Sequence, residues 1–468
     1  MTPDNILAWL SNISATVSGS KRKRQRSAPL IPSPPWSTMD PEAEAGQQHK
    51  RMRTSAANNI EQPPHAEEQP LAESPNPASP FTTPIPPSSA PAASDLETAS
   101  TWQASDTGDL STAGGQGSGR TRSSARKRLR SLALQEDGIV TRSLKSGTDM
   151  PLELRKLLQG IEDCGNGFGV ISNQRRQEIE DLTKLQGTAE VTRPRSTYRV
   201  LNHAMWYPAG DSQQQRREAL GPTPHTHDVL AVLEWADRCS SQAAEEAMWN
   251  AIVHVPLLQL AVYGGRRIPE KDDKSAVTVE LTQCTTARII REYLPAQETS
   301  GKQIDFCFHL NVDSTAQQAI DRVRSSLPLL SINHFDMDGL IDQPIAVSCE
   351  SKKLDSPGGA TEAKLQIGMW HAAQWKLLKE LITCKSQQHA QQPVLPAFLP
   401  AVIIAGHDWS FAATTQEQDK TVLWTEYPFG DTHSASGVYK VVCGLQLLSA
   451  WARDDYWPWY RRCVLGLT

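Results

Sequence analysis

The chain has 468 residues, of which 21% are charged, and a formal net charge of −5. This length allows roughly three average domains, and no apolar run reaches the ~18 residues that a membrane-spanning helix needs. The eight cysteines are scattered without a Cys-x-x-Cys pair, which argues against a disulfide framework or a zinc site and predicts buried thiols in a reducing compartment. We therefore expect a soluble, intracellular protein.

Residues 1–146 differ in composition from the rest of the chain. They hold 16 of the 32 prolines, 16 Lys and Arg against 14 Asp and Glu, and no cysteine. Such a segment buries too little apolar surface to offset its chain entropy, so we expect a long disordered N-terminal arm. Residues 147–468 carry 31 basic and 38 acidic side chains and are numerous enough for one elaborated, mildly acidic domain.

Three basic clusters lie in the predicted arm, at Lys21–Arg26, Lys50–Arg53 and Arg120–Arg130. Short basic runs in exposed chain suit nuclear import or loose phosphate binding, and the alternative is solvated charge without a function. We expect a nuclear protein, with Lys21–Arg26 as the segment that a nuclear import receptor binds.

Helical periodicity in the second region begins at Pro151–Leu158 and Gln174–Leu185 and continues at Asp228–Tyr263, which predicts one or two helices. Pro256 is expected to kink or restart the second of these. Ser314–Ser326 is also predicted to be helical, with Ser314 as a favourable cap.

Runs rich in β-branched and aromatic residues predict strands at Val277–Leu281, Gln303–Leu310, Pro344–Lys353 and Phe398–Ala405, followed by a hairpin at Trp409–Thr415 and Thr421–Glu426. Long helices are predicted at about Thr361–Thr383 and Ser434–Val464. This order predicts a mixed β-sheet flanked by helices, and therefore an α/β layered domain.

The most informative stretch is the predicted strand that ends on Glu350 and Lys352. Side chains two residues apart share one face of a strand, so the carboxylate and the ammonium lie side by side. If Asp305 supplies a second carboxylate from the preceding strand, the group can hold a divalent metal and activate a water. The Glu-x-Lys spacing recurs at Glu362 and Lys364 in a predicted helix, so the spacing by itself is not specific.

The order of elements, with Asp on one central strand and Glu-x-Lys on the next, resembles the PD-(D/E)XK nuclease superfamily of restriction-endonuclease-like folds. More narrowly, residues from about 150 to 465 look like the fungal PD-(D/E)XK nuclease-like domain. The segments that carry the resemblance are Glu246–Asn250, Thr285–Ala287, Ile304–Phe306, Pro344–Lys352, Leu365–Trp370, Gly406–Trp409 and Tyr456–Trp459.

The resemblance implies a metal site and a catalytic lysine. Asp305 and Glu350 would ligate Mg²⁺ or Mn²⁺, with the carbonyl of Ser351 as a third ligand, and hard oxygen ligands suit these ions. Lys352 would orient the attacking water and offset the charge that develops on the phosphate.

Two further positions resemble accessory residues of the superfamily. Glu246, on the first core helix, matches an accessory acidic position, and Gln366 resembles an auxiliary Gln found in some of these nucleases. The residue before Asp305 is Ile304, where the family pattern has proline. Asp342, eight residues before Glu350, is an alternative acidic partner for the metal.

Two other groups of residues have competing interpretations. The aromatic cluster that includes Trp451, Tyr456 and Trp459 could stack nucleic-acid bases, but packing into an aromatic core is the favoured interpretation. His407 and Asp408 could form an acid–base pair, but a turn stabilised by the aspartate is favoured.

The sequence therefore predicts a metal-dependent nuclease that acts on nucleic acid, DNA in the first instance, within the nucleus. The alternative is a catalytically inactive nuclease-fold protein that acts as a nucleic-acid-binding or protein-binding regulatory module. The net negative charge of the second region supports the alternative, because a broad electrostatic grip on nucleic acid depends on many Lys and Arg contacts.

Overall fold

The computed structural model describes residues 124–147, 149–181, 201–207, 212–264, 277–295, 304–354, 356–386 and 394–467. Most of the predicted arm, including Lys21–Arg26 and Lys50–Arg53, lies outside the described residues. None of the helices among the described residues combines the length and apolar character that crossing a membrane requires.

A seven-stranded mixed sheet forms the centre of the described fold. Its strands are β1 (Ile139–Ser143), β2 (Thr278–Gln283), β3 (Phe306–Asn311), β4 (Ile345–Lys352), β5 (Leu399–Ala405), β6 (Asp408–Glu417) and β7 (Lys420–Asp431). Their order across the sheet is β1-β7-β6-β5-β4-β3-β2. The pairs β1–β7 and β4–β5 are parallel, and the other pairs are antiparallel. Two short strand pairs lie beside the sheet, Ile171–Ser172 with Trp206–Tyr207 and Arg288–Ile289 with Phe335–Asp336.

Helices cover this sheet, in agreement with the predicted α/β class. They are α1 (Ala125–Leu132), α2 (Leu152–Asn166), α3 (Ser212–Leu220), α4 (Thr226–Ser241), α5 (Glu246–Trp249), α6 (Val255–Tyr263), α7 (Ser314–Arg324), α8 (Gly359–Ser386), α9 (Ala435–Trp451) and α10 (Trp457–Tyr460). A π-helical turn, Asn250–His254, joins α5 and α6 into one continuous element, and π-helical turns at Ala452–Tyr456 and Arg461–Leu465 flank α10.

The helices lie on both faces of the sheet. On β6, Thr414 bonds to His371 and Trp375 of α8, whereas the Trp409 ring contacts the His254 ring at the start of α6. Residues five apart on a strand point to opposite faces, so α8 and α6 cover opposite faces. The central strands β4 and β5 are buried along nearly their whole length, as expected for strands covered on both sides.

The N-terminal boundary of the folded part needs a correction. Residues 124–146 belong to the predicted disordered arm, yet they contain α1 and β1. Ile139 is buried, and Arg142 forms an ion pair with Glu417. Ile139 and Val140 follow a strongly basic stretch, so the average composition of the arm concealed a strand that the main sheet pairs and buries.

Local helix signals were only partly predicted. The cap of α7 is Asp313, whose carboxylate accepts from the amides of Thr315 and Ala316, and Ser314 is the first helical residue. Pro256 is the second residue of α6, directly after the π-helical turn, so it marks a local widening of one continuous helix.

Candidate active site

The start of β3 and the end of β4 meet at one edge of the sheet. The two strands are antiparallel and adjacent, with Phe306 opposite Cys349, and the Asp305 amide donates to the Cys349 carbonyl at 3.1 Å. This register brings Asp305 next to Glu350. The residues between the two strands, including α7, fold aside, so the long separation in sequence does not prevent the pairing.

Asp305 is held by its neighbour strand. One carboxylate oxygen, Oδ2, accepts from both the backbone amide and the hydroxyl of Ser351, each at 2.8 Å. The side chain is nearly buried, at 9% exposure. The two bonds fix the direction of the carboxylate before any ligand arrives.

Glu350 is the most deeply buried acid of the site, at 1% exposure. Its Oε1 accepts from the Lys352 ammonium, whereas its Oε2 is buried and has no hydrogen-bond partner among the described residues. Burial, followed by the nearby charge of Asp305, raises the pKa of Glu350 well above its ordinary value, although Lys352 acts in the opposite direction. A buried carboxylate oxygen without a partner is costly, and a bound cation would relieve that cost.

The Lys352 ammonium lies between three oxygen groups. It bonds to Glu350 and to the Ser351 carbonyl, the latter at 2.8 Å, and it lies 3.9 Å from Oε2 of Glu246. Burial lowers the pKa of Lys352, but the Glu350 carboxylate, together with Glu246 and Asp305, raises it and the net shift is upward. The side chain is 13% exposed, so Lys352 carries its charge in a largely dry setting.

Glu246 approaches the same strand end from α5. Its Oε2 accepts from the Lys353 amide at 3.2 Å, and its side chain is 36% exposed. Partial burial and the proximity of Asp305 raise its pKa, although Lys352 opposes the shift. Glu246 is therefore the most accessible acid of the group.

These residues fit a hard divalent cation. Two carboxylates and the Ser351 carbonyl supply oxygen donors of the kind that Mg²⁺ and Mn²⁺ prefer. The unpartnered Oε2 of Glu350 and the raised pKa values of Glu350 and Glu246 are the features that a cation would compensate.

A family model for the PD-(D/E)XK nuclease superfamily matches residues 193–457. The chain belongs to this superfamily. The matched region contains Glu246, Asp305, Glu350, Lys352 and Gln366, and the mixed α/β sheet has the fold class that was predicted. No curated protein and no solved structure matches the chain.

In this member of the PD-(D/E)XK superfamily, Gln366 lies on α8 at about the same height as Glu350 along the direction of β4. The helix runs antiparallel to β4, since His371 contacts Ser348 at 3.1 Å and Gly359 lies beside Lys352. Gln366 is five residues before His371, about 7.5 Å along the helix, and Glu350 is about 6.6 Å beyond Ser348 along the strand. Gln366 is rotated by about 140° from His371 around the helix axis, so this agreement in height does not show that it faces Glu350, and its auxiliary role stays a prediction.

The alternative acid Asp342 lies far from this group. It precedes β4 and accepts from Gln317 at 3.2 Å. Because β4 extends about 23 Å from Ile345 to Lys352, Asp342 is at the opposite end of the strand. It cannot share a metal with Glu350, and the prediction of this alternative is wrong.

The aromatic residues near the C-terminus do not cover the acidic group. Tyr456 and Trp457 are buried, and Tyr456 interacts with Gln374, which in turn donates to the carbonyl of Ile345 at the far end of β4. The interpretation as core packing is confirmed for Trp451, Tyr456 and Trp457, whereas Trp459 is only partly buried.

A second cluster, Glu178, His225 and His227, has its potential ligand atoms within 4.8 Å of one another. Among the described residues this is the one group of three that meets this distance, so Asp305, Glu350 and Glu246 are more widely spaced as a set. We interpret the second cluster as a capping network, because Glu178 accepts from the amide and hydroxyl of Thr226 at the start of α4. The Arg175 guanidinium lies against His225, and it and the positive helix N-terminus both disfavour a cation there.

Sequence reasoning missed the contacts that hold the site. The hydroxyl of Ser351, the Lys353 amide and a buried link from His254 to Gly406 were not predicted. His254 does carry a sequence signal, since it lies two residues before Pro256 in an apolar helix, but its partner lies 152 residues away.

Proposed function

We propose that this protein is a metal-dependent nuclease that hydrolyses phosphodiester bonds of nucleic acid, with DNA as the expected substrate. The proposal depends on one observation, the convergence of Asp305, Glu350 and Lys352 at the shared edge of β3 and β4 in a chain of the PD-(D/E)XK superfamily. Function depends on the site and not on the fold alone, and this site carries the residue types that the reaction needs.

The roles follow from the contacts. Asp305, Glu350 and the Ser351 carbonyl would hold Mg²⁺ or Mn²⁺, and the bound ion would polarise the scissile phosphate and acidify a water. Ser351 keeps the Asp305 carboxylate directed. The Lys352 ammonium orients the attacking water and stabilises the negative charge that develops on the phosphate. Glu246, which is partly exposed, provides an additional acidic group at the entrance.

A basic helix supports nucleic acid as the substrate. Arg126, Lys127 and Arg130 are exposed on α1, which carries no acidic residue. A row of cations on a folded helix suits phosphate contacts that do not depend on base sequence. The net acidity of the domain does not prevent such a local surface.

The burial of the acids favours a second candidate function, a nucleic-acid-binding module without turnover. Glu350 and Asp305 are almost inaccessible in the described structure, and Lys352 already forms an ion pair with Glu350. Such a module would bind nucleic acid and leave it intact.

A cleavage assay separates the two functions. The purified full-length chain is incubated with single-stranded DNA, duplex DNA and RNA, with Mg²⁺, with Mn²⁺ and with a chelator. The nuclease proposal expects metal-dependent cleavage of at least one of these substrates. Binding without cleavage at any metal concentration would favour the regulatory module.

We also propose nuclear localisation through Lys21–Arg26, on the basis of its charge alone. A reporter fused to residues 1–60 is expected to enter nuclei and to lose this accumulation when the basic residues are replaced by Ala. Exclusion of the intact fusion from nuclei would contradict the proposal.

A further inference from the structure

The main chain at Lys352 is fixed by the turn that follows β5. Ala405 pairs with Lys352 across the parallel strands, and the Gly406 amide donates to the Lys352 carbonyl at 3.1 Å. Gly406 has a left-handed φ of +57°, and a Cβ at this position would lie 2.7 Å from Cβ of Leu354. Only glycine avoids both the strain and the collision, so the turn has a defined shape directly beside the site.

The buried side chain of His254 holds the turn at Gly406. Nε2 of His254 lies 2.9 Å from the Gly406 carbonyl, which can only accept, so the ring donates from Nε2. Nδ1 lies 2.8 Å from Oδ1 of the Asn250 side chain. Burial lowers the pKa of His254 to about 4, so the ring is neutral at physiological pH. Because its proton lies on Nε2, Nδ1 can only accept, which requires the Asn250 amide to be turned so that its NH₂ group takes the place of Oδ1.

Aromatic rings fix the His254 side chain in place. The ring stacks on Trp249 with centroids 5.7 Å apart and meets the edge of Trp409 at 5.6 Å. His254 is fully buried. It is therefore immobilised, and its hydrogen bond to the β4–β5 edge runs to the Gly406 carbonyl.

The π-helical turn explains why Glu246 and His254 reach the same edge. In a regular α-helix, residues eight apart are rotated by about 80° from one another. A π turn accommodates about one extra residue, which reduces this rotation by about 100°. The side chains of Glu246 and His254 then point in directions that differ by only about 20° around the helix axis. Pro256 accounts for the widened turn, because its ring crowds the carbonyl of residue 252 and it has no amide to donate.

The same helix is thus attached to the site at two points. Glu246 accepts from the Lys353 amide at one end, and His254 donates to the Gly406 carbonyl at the other. The two contacts flank Lys352 in the sheet. We propose that His254 is a positioning residue that holds the Lys352 main chain, and through it the Lys352 ammonium, in register with Glu350 and Glu246.

The expected effect of His254 on the cleavage rate rests on the proposed nuclease function. The claim that His254 holds the main chain at Lys352 does not depend on that function. Loss of the Nε2 donor of His254 would leave the Gly406 carbonyl without this hydrogen bond, and the turn after β5 would loosen. A displacement of about 1 Å at a catalytic group can cost on the order of 10²-fold in rate. Substrate binding would change little, because His254 is fully buried and cannot touch the substrate.

Two variants of matched polarity provide the test. In His254→Gln the amide nitrogen reaches the position of Nε2, whereas in His254→Asn it reaches only the position of Nδ1. We expect His254→Gln to keep kcat within about threefold of the parent chain and His254→Asn to lower kcat by about 10-fold or more, with KM unchanged in both. Asn250→Ala, which keeps His254 but frees its ring, is measured in parallel and should lower kcat in the same direction.

A double variant tests whether the effect runs through Lys352. In a Lys352→Met background, which leaves a slow residual reaction, His254→Asn should have no further effect on kcat. An equal loss of kcat in the Gln and Asn variants, or full additivity with Lys352→Met, would overturn the proposal.

Hydrogen exchange provides a readout that does not need catalysis. In the full-length chain, peptides that cover residues 345–354 and 400–410 should exchange faster in His254→Asn than in His254→Gln, with other β-strands unchanged. If the parent chain cleaves nothing, the nuclease function fails while this measurement still decides the positioning. Unchanged exchange at both segments in the Asn variant would contradict it.

Discussion

Asp305 and Ser351 are joined by two hydrogen bonds that converge on a single carboxylate oxygen, Oδ2 of Asp305, each 2.8 Å long. One donor is the backbone amide and the other is the hydroxyl. The arrangement directs the carboxylate and places the Ser351 carbonyl, which faces the Lys352 ammonium, next to it. A group that hydrogen-bonds to a metal ligand, as the Ser351 hydroxyl does to Asp305, commonly changes the affinity of the site for its ion.

Replacement of Ser351 by Ala keeps the backbone amide bond and removes only the hydroxyl bond. Because a hydrogen bond to a charged group contributes about 1.5–3 kcal/mol, we expect Mn²⁺ affinity to fall by about 10-fold or more and cleavage to fall in parallel. Ser348→Ala is the matched control, since Ser348 lies on the same strand and bonds to His371. Isothermal titration with Mn²⁺ measures both variants, and equal affinities for the two would contradict this role of Ser351.

The raised pKa of Glu350 predicts that metal binding depends on pH. Burial, with the charge of Asp305 added, raises the pKa of Glu350 in the metal-free protein, whereas a metal ligand must be ionised. Metal binding should therefore release a proton, and metal affinity should weaken as the pH falls, beginning well above the ordinary pKa of glutamic acid. Titrations in two buffers of different ionisation enthalpy measure the proton release.

Replacement of Glu350 by Gln provides the control for this pH dependence. The variant should bind the metal weakly and without the associated proton release. If the metal affinity of the parent chain does not change with pH above the ordinary pKa of glutamic acid, Glu350 is not a ligand that must deprotonate.

The sequence was sufficient to predict that Glu350 and Lys352 lie side by side, because their placement depends on short-range geometry. The period of two along a strand places Glu350 and Lys352 on one face, and the run of apolar residues around Asp305 identifies a buried strand. The pairing of Phe306 with Cys349 is harder to predict from the sequence, since it depends on how the intervening residues fold. The family resemblance indicated that the two strands are neighbours, and the structure gives their register.

Other features could not be predicted because they arise from tertiary contacts. Strand β1 is part of the sheet only because β7 provides a partner for Ile139–Ser143. The alignment of Glu246 with His254 depends on the π turn before Pro256, which a regular helical period does not include. The bond from His254 to Gly406 joins segments that no local pattern relates.

The basic helix α1 should strengthen nucleic-acid binding through phosphate contacts. Replacement of Arg126 and Lys127 by Gln should weaken binding for all sequences alike and reduce the slope of log affinity against log salt by up to about 0.9 per lost contact. The matched control is Arg155 and Lys156, an exposed pair of the same composition on α2. Binding isotherms at several salt concentrations measure the slope.

An unchanged salt slope in the α1 variant would show that this helix does not touch the backbone of the nucleic acid. An equal reduction in the α2 variant would instead indicate a general effect of net charge.

The most direct test of the central claim is the rate of metal-dependent DNA cleavage by Lys352→Met and by Lys364→Met, compared with the parent chain. Lys364 has the same Glu-x-Lys spacing but lies on α8, where it pairs with Glu426. Removal of a group that stabilises transition-state charge costs about 10²–10³ in rate, so we expect Lys352→Met to lose at least about 100-fold. Lys364→Met should cleave as the parent does. Equal cleavage by the parent and by a folded Lys352→Met variant would contradict the account.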